Sequence, residues 1–276
     1  MEKNLEQSQS TKKMEKPEDW LPGGTEQEQY LKEHKEWRGL EKRLGQPRIL
    51  NNVYFPEILA WIQEEFKDNP DAFSYFEAGC GHGNDFRTIR KELKARGRYL
   101  GVDMSKAEII HGMKFYKDAE EARKLFAQGD LRNLRHVNIW DRGKRDFSQP
   151  VEIKDGEFDL IYMEAVLHGL GYSKKTFQEK KESAQQMLNE LYRICKAGGK
   201  FFGRASIFGS TITKEKQFEL LRKTNNWRFI PEAEEFKEIL KKAGFTNIKG
   251  ALTPHEKAKE DPNKKDILRF SFLAEK

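Results

Sequence analysis

The residues best suited to chemistry lie in one short stretch, Tyr75-Phe76-Glu77-Ala78-Gly79-Cys80-Gly81-His82-Gly83-Asn84-Asp85. Glycines two positions apart let the backbone turn sharply without a Cβ clash, and they let a ligand approach the main chain. A lone Gly-x-Gly-x-Gly is a weak signal. It is strengthened by its surroundings: Phe73 to Glu77 is patterned as a short strand, a helix pattern starts near Asp85 and runs to about Ala95, and Asp103 ends the next strand, Arg98 to Asp103. A carboxylate at the end of that strand can accept two hydrogen bonds from ribose hydroxyls. Strand, tight turn and helix make the first half of a nucleotide-binding unit.

The spacing separates two kinds of nucleotide ligand. A dinucleotide fingerprint puts its third glycine three positions after the second, whereas Gly83 follows Gly81 by two. Glu77, two residues before the first glycine, would repel a pyrophosphate but suits the cationic methionine end of S-adenosylmethionine.

The elements that must position these residues can be read from pattern. A helix is expected from Asn51 or Asn52 to about Phe66, with Ile58, Leu59, Ile62 and Phe66 apolar. After the second strand, Ser105 caps a long helix carrying Ile109, Met113, Tyr116, Ala119 and Leu125, which Gly129 can end. A third strand is expected at Arg135 to Trp140, a fourth at Phe158 to Met163, a helix over Ala184 to Cys195, and a fifth strand at Lys200 to Arg204. Alternating strands and helices imply a mostly parallel sheet. The end of the chain changes grammar. Pro231 opens a helix through Lys242, and two strands near Asn247 to Leu252 and Ile267 to Ala274 follow with no helix between them, so they must pair antiparallel.

Upstream, residues 1 to 24 lack apolar periodicity and read as a disordered tail closed by Leu21-Pro22-Gly23-Gly24. Residues 25 to 50 read as a helical extension with Tyr30, Trp37 and Leu40 or Leu44 on one stripe, a candidate lid. The main domain then covers 51 to 276, a length one core can serve. Lys plus Arg total 51 against 45 Asp plus Glu, so the +6 net charge is a small remainder and weak support for nucleic acid binding. The polar first residues lack a secretory core, and no stretch reaches the ~18 apolar residues of a membrane span, so a cytoplasmic address without membrane insertion is expected. Cys80 and Cys195 alone fit a reducing compartment and exclude four-cysteine zinc sites. His34, His82, His111, His136 and His255 have no metal spacing, so no metal is expected.

With these motifs in order, the chain resembles the class I S-adenosylmethionine-dependent methyltransferase family, in particular its small-molecule group, over about residues 51 to 276. Glu77 to Gly83 is similar to the family's first motif, Gly101-Val102-Asp103-Met104-Ser105 to its second strand, and Phe158 through His168 to its fourth. Leu191 to Gly203 resembles its helix, Gly-Gly turn and fifth strand. The resemblance implies a Rossmann-like three-layer α/β sandwich with a seven-stranded, mostly parallel sheet and a C-terminal antiparallel hairpin. It also implies S-adenosyl-L-methionine as cosubstrate, with Gly79, Cys80, Gly81 and Gly83 around the methionine moiety and Glu77 beneath the turn. Asp103 would hold the ribose, Met104 would pack on adenine, and Met163 and Glu164 would lie beside the methyl group. A further carboxylate normally takes the adenine amino group; Asp141, after the expected third strand, is preferred over Asp130 in Gly129-Asp130-Leu131. The long, basic stretch from Asp130 to Glu157 departs from the family's short connection.

Methyl transfer is an in-line displacement in which the sulfonium leaves as a neutral thioether, so alignment and, where needed, removal of one proton suffice. His168, one turn past the fourth strand, is the candidate base. Met163-Glu164-Ala165-Val166 lacks the Asn or Asp, prolines and aromatic of enzymes that methylate amino groups in macromolecules, which favours a small-molecule acceptor. The alternatives left open are an RNA methyltransferase akin to the cap guanine enzymes, supported by the basic residues of Asp130 to Asp146 and Lys257 to Lys265, and a binding module without turnover. A nicotinamide oxidoreductase fails on the glycine spacing and the final hairpin.

Overall fold

The computed structural model describes residues 47–93, 97–113, 119–164, 166–167, 176–209, 212–213, 231–254 and 267–276. The tail and most of the helical extension (1–46), His168 and the 257–265 loop lie outside the described residues.

A 3-10 turn, Arg48–Asn51, leads into α1 (Phe55–Glu65), β1 (Ser74–Ala78), α2 (Asn84–Leu93) and β2 (Arg98–Asp103). Next come α3 (Lys106–Met113), α4 (Ala119–Leu125), β3 (Phe126–Gly129), β4 (Val137–Asp141) and β5 (Asp146–Val151). The chain continues through β6 (Phe158–Glu164), α5 (Phe177–Ile194), β7 (Cys195–Phe208), α6 (Ala233–Ala243), β8 (Thr246–Pro254) and β9 (Ile267–Glu275). The strands form a nine-stranded sheet in the order β5-β4-β3-β2-β1-β6-β7-β9-β8. The five strands from β3 to β7 run parallel, and the β4/β5 and β8/β9 pairs add antiparallel margins at the two edges.

Seven of these strands are the expected sheet; the count rises to nine because the Asp130 to Glu157 stretch folds into the β4/β5 hairpin. The third parallel strand is therefore not Arg135 to Trp140 but the four residues Phe126–Gly129, which pair with β2 at Gly101, Val102 and Asp103. Leu125 and Phe126 continue the apolar stripe of the helix before them, and so short a strand has no alternation of its own to give it away. Val137–Asp141 runs the other way, with Val137 opposite Gly129 and Ile139 opposite Ala127. The helix before β7 also begins earlier than expected, because Thr176 and Glu179 form a capping box: the Glu179 N–H donates to the Thr176 hydroxyl at 3.2 Å and the Thr176 N–H donates to the Glu179 carboxylate at 2.6 Å.

Every residue of β1 is buried because helices cover both faces of the central strands. On one face Phe76, Ile161, Phe201 and Phe272 pack with α5 and α6. On the other Tyr75, Tyr162, Phe202 and Leu273 pack with Ile49, α1 and α2. Tyr75 and Tyr162 carry hydroxyls into that second layer, which begins the polar arrangement described below.

Gly203 sets the spacing of β6 and β7. A Cβ there would lie 2.0 Å from the Met163 carbonyl oxygen and 3.0 Å from Phe272. Gly203→Ala should cost about 3 kcal/mol by forcing a backbone shift in a packed core, measured as the drop in urea-unfolding free energy; an unchanged midpoint would mean that the strands separate freely here.

Candidate cofactor site

The glycine turn sits where β1 passes into α2. Gly79, Gly81 and Gly83 have φ of +68°, +48° and +67°, so each occupies the left-handed region that a side chain makes costly. Gly79 is also in close contact: a Cβ there would lie 2.4 Å from Val166, just past β6. The Gly79 and Cys80 amides both donate to the Val102 carbonyl, at 2.8 and 3.2 Å, and Gly83 donates to Cys80 at 2.7 Å. Cys80 itself is buried against Gly101, and burial with nearby carboxylates pushes its thiol well above the ordinary range. His82 Nδ1 lies 2.9 Å from the Glu108 carboxylate, which holds the turn to α3.

Asp103 ends β2 next to this turn. One of its oxygens accepts from Gly81 N–H at 2.9 Å and the other from Ser105 N–H at 2.8 Å, so the carboxylate is fixed at the end of β2. Met104 follows, half-buried, and its carbonyl accepts from Gln128 at 3.3 Å.

Behind the turn lies a layer of buried carboxylates. Glu77, Tyr162, Glu164 and Arg204 occupy one face at adjacent register positions of β1, β6 and β7. Glu77 is 3% exposed; it takes a 3.3 Å hydrogen bond from the Tyr75 hydroxyl and one from the Phe86 amide. Desolvation and the neighbouring Asp85 hold its carboxyl well above the usual carboxylate range. Asp85, in the first turn of α2, is 7% exposed and accepts from Ile49 N–H at 2.7 Å. Burial and then Glu164 raise it, against the opposing backbone hydrogen bonds and Arg48, to about 6. Glu164 is neutralised: Arg204 Nε lies 3.1 and 3.0 Å from its two oxygens, Nη2 is 2.8 Å away, and the Tyr162 hydroxyl donates at 3.1 Å. This two-pronged contact suits a buried ion pair.

The structure thus brings together Glu77, Gly79, Cys80, Gly81, Gly83, Asp103 and Met104, with Glu164 at the near end of β6. Two of the expected residues are not brought to the turn. Met163 is wholly buried in the opposite core layer with Phe76 and Ile161, because strand alternation turns its side chain away from Glu164. Asp141 lies at the wrong end of the sheet, since antiparallel β4 carries it back past the start of β3. It lines a cavity of about 560 Å³ with Arg98 and Tyr99, at the beginning of the strand that Asp103 ends. The register puts Asp141 level with Leu100, about 10 Å along the strands from Asp103 and two strands away from it. Asp141 serves the hairpin instead: it accepts from the Gly143 and Lys144 amides at 2.8 and 3.2 Å, and these bonds lower its carboxyl below the ordinary range. Asp130 is the carboxylate that follows β3, and Arg132 grips it through Nε and Nη2.

Sequence reasoning missed Asp85, Arg204 and Asn52. Arg204 had a visible signal, a lone charge inside the apolar run Phe201-Phe202-Gly203-Arg204-Ala205-Ser206-Ile207-Phe208. Asp85 had none beyond its place after the turn. No group of three or more His, Cys, Asp or Glu among the described residues is arranged to hold a metal, and no described helix is long and apolar enough to cross a membrane.

The raised carboxyl of Asp85 has a stability consequence whose sign is fixed. Its folded value of about 6 exceeds the ordinary aspartate value of 3.8, so the folded state holds the proton longer and loses relative stability as pH rises from about 4 through 6. Asp85→Asn, which does not titrate, should therefore gain on the wild type by about 3 kcal/mol between pH 4 and 7. Urea unfolding of both proteins at the two pH values checks this; a constant difference would contradict it.

Known proteins share this fold. Residues 76–201 match a family model described as a methyltransferase domain. A curated relative, the tRNA(Thr) (cytosine(32)-N(3))-methyltransferase of Saccharomyces cerevisiae, is 23% identical over 152 residues, 52% of this chain and 21% of the relative. Phosphoethanolamine N-methyltransferase 2 of Haemonchus contortus, solved in complex with S-adenosyl-L-methionine, superposes with a TM-score of 0.51 at 17% identity, over 80% of this chain and 52% of that one. A Galdieria sulphuraria protein described as a sarcosine dimethylglycine methyltransferase gives 0.54 at 10% identity, over 80% and 86%. The chain spans about a fifth of the tRNA enzyme and about half of the phosphoethanolamine enzyme. Residues 76–201 thus match a methyltransferase-domain family model, and the sheet they build is a Rossmann-like α/β fold.

Proposed function

We propose that this chain is an S-adenosyl-L-methionine-dependent methyltransferase acting on a small-molecule acceptor. The observation that carries the reading is the buried set Glu77, Asp85 and Glu164 beside a left-handed glycine turn, with Arg204 balancing one carboxylate. Such a cluster is short of positive charge, and a ligand bearing an ammonium and a sulfonium would supply it. Glu77, with the Gly79 to Gly83 backbone and Cys80, would face the methionine end; Asp103 would hold the ribose; Met104 would lie along the adenine. Asp130 or Gln128, at the carboxyl end of β3, replaces Asp141 beside the adenine amino group. The cosubstrate supplies the electrophilic methyl group, and the protein's part is to hold it in line with the acceptor and exclude water.

The small-molecule reading is supported by the Met163-Glu164-Ala165-Val166 segment, which lacks the prolines and aromatic of macromolecular amino-group enzymes, and by the sequestered Glu164–Arg204 pair. His168 remains the candidate base where the acceptor must lose a proton. A second reading, RNA as acceptor, is favoured by the similarity to a tRNA methyltransferase. Transfer from labelled S-adenosylmethionine into metabolite extract and into total RNA separates the two: label in small molecules alone supports the first, label in RNA alone the second.

Asp103→Ala should weaken S-adenosylhomocysteine binding by about 1.5 to 3 kcal/mol, since it deletes charge-assisted hydrogen bonds to ribose in a tight pocket, whereas Asp141→Asn should leave affinity unchanged. Calorimetry on the folded variants decides both. Unchanged affinity in Asp103→Ala removes the ribose assignment.

A further inference from the structure

Residues 48 to 54 cross the carboxyl ends of the central strands, and a buried polar side chain ties each end of the crossing. At one end the Asp85 carboxylate, on α2, accepts from Ile49 N–H at 2.7 Å and also from the backbone of Arg48. At the other, Asn52, 1% exposed, donates from Nδ2 to the Gly203 carbonyl of β7 at 2.8 Å, while its Oδ1 accepts from Tyr54 N–H at 2.9 Å. Ala78, Met163 and Gly203 share one register level across β1, β6 and β7. The segment therefore runs from the helix after β1, past β6, to β7 at that level. Ile49 and Phe55 pack with Tyr75, Tyr162 and Phe202, which puts the segment on the same face as Glu77, Glu164 and Arg204.

Asp85 is thus part of two structures at once. It belongs to the buried carboxylate layer, facing Glu77 of β1 and Glu164 of β6, with the Tyr75 and Tyr162 hydroxyls nearby, Arg204 of β7 behind Glu164, and Arg48 on the segment itself. It is also the acceptor that anchors the crossing segment. An ionised carboxylate holds backbone amides more strongly than a neutral one, because the hydrogen bond is then charge-assisted.

We propose that Asp85 is a positioning residue that couples occupancy of the glycine-turn pocket by a cation to the anchoring of residues 48 to 54 across the strand ends. This rests on the reading of the pocket as an S-adenosylmethionine site. A ligand ammonium beside the carboxylate layer favours the ionised form of Asp85 and expels its proton; the ionised group grips the Arg48 and Ile49 amides and fixes the segment. Coupling is reciprocal, so a well-anchored segment raises affinity for the cation by the same factor. The device needs no new contact between segment and ligand.

The sign of the pH dependence follows. Below the pH at which free Asp85 ionises, binding must expel a proton, and affinity is reduced there by one power of ten for each unit by which the ligand lowers that ionisation. Calorimetric titration with S-adenosylhomocysteine, which keeps the ammonium, should give about tenfold tighter binding by the wild type at pH 7.5 than at pH 5, with the rise ending above about 6. Asp85→Asn keeps an acceptor for Ile49 but cannot titrate, and should make that step smaller, leaving only what Glu77 contributes. Hydrogen exchange reports the anchor. At pH 5, where the carboxyl of Asp85 holds its proton without ligand, S-adenosylhomocysteine should slow exchange of the Ile49 amide in the wild type but not in Asp85→Asn, and Asp85→Ala should speed exchange over 48 to 54 without ligand. Matching circular dichroism confirms that the variants are folded, and Asp85→Asn decides the case if Asp85→Ala is not. Binding that keeps the wild-type pH step in Asp85→Asn, or that leaves Ile49 exchange unaltered in the wild type, overturns the coupling while leaving the cofactor reading intact. Failure of the wild type to bind S-adenosylhomocysteine at every pH overturns both.

Discussion

Burying negative charge is the constraint around which the site is organised. Glu77, Asp85 and Glu164 are all less than a tenth exposed and lie on one face at the carboxyl ends of β1 and β6 and the first turn of α2. A low-dielectric interior does not hold several like charges unaided; they must be protonated, paired or hydrogen-bonded. The chain uses all three remedies. Arg204 pairs Glu164, the Tyr75 and Tyr162 hydroxyls donate to Glu77 and Glu164, and burial keeps Glu77 and Asp85 reluctant to ionise.

The rest of the architecture can be ordered from this layer outward. Five parallel strands bring the carboxyl ends of β1, β2, β3, β6 and β7 to one edge, where a doubly wound sheet binds its ligands. The glycine turn brings main-chain amides to the cluster, and Asp103 is fixed by the Gly81 and Ser105 amides before any ligand arrives. The β4/β5 hairpin extends the edge beyond β3 and takes no part in the layer. Its cavity opens at the beginning of β2, the length of that strand from Asp103.

What was legible in the sequence was whatever short-range chemistry imposes. The turn Gly79 to Gly83 needs glycine wherever it occurs, Asp103 stands at the end of an unambiguous strand, and the two final strands could only pair antiparallel. Position across the sheet was far less legible. Asp141 and Asp130 each follow a strand, and only the direction of that strand decides which one lies at the carboxyl ends of the parallel strands; direction depends on Phe126–Gly129, four residues that read as the end of a helix. Met163 and Glu164 pose a related difficulty, because neighbours in a strand face opposite layers, and telling which one faces the turn requires the phase of the alternation. Asp85 and Asn52 could not be found at all, since each acts through backbone groups 36 and 151 residues away.

The central claim is that the carboxylate layer and glycine turn together hold S-adenosylmethionine, and a crystal structure of the protein with S-adenosylhomocysteine tests it most directly. The account predicts ligand density at the carboxyl ends of β1 and β2, with both ribose hydroxyls within about 3 Å of the Asp103 oxygens, the ammonium on the Glu77 side of the turn, and no ligand in the cavity beside Asp141. Ligand bound away from Asp103, or a site still empty at saturating ligand, would contradict it.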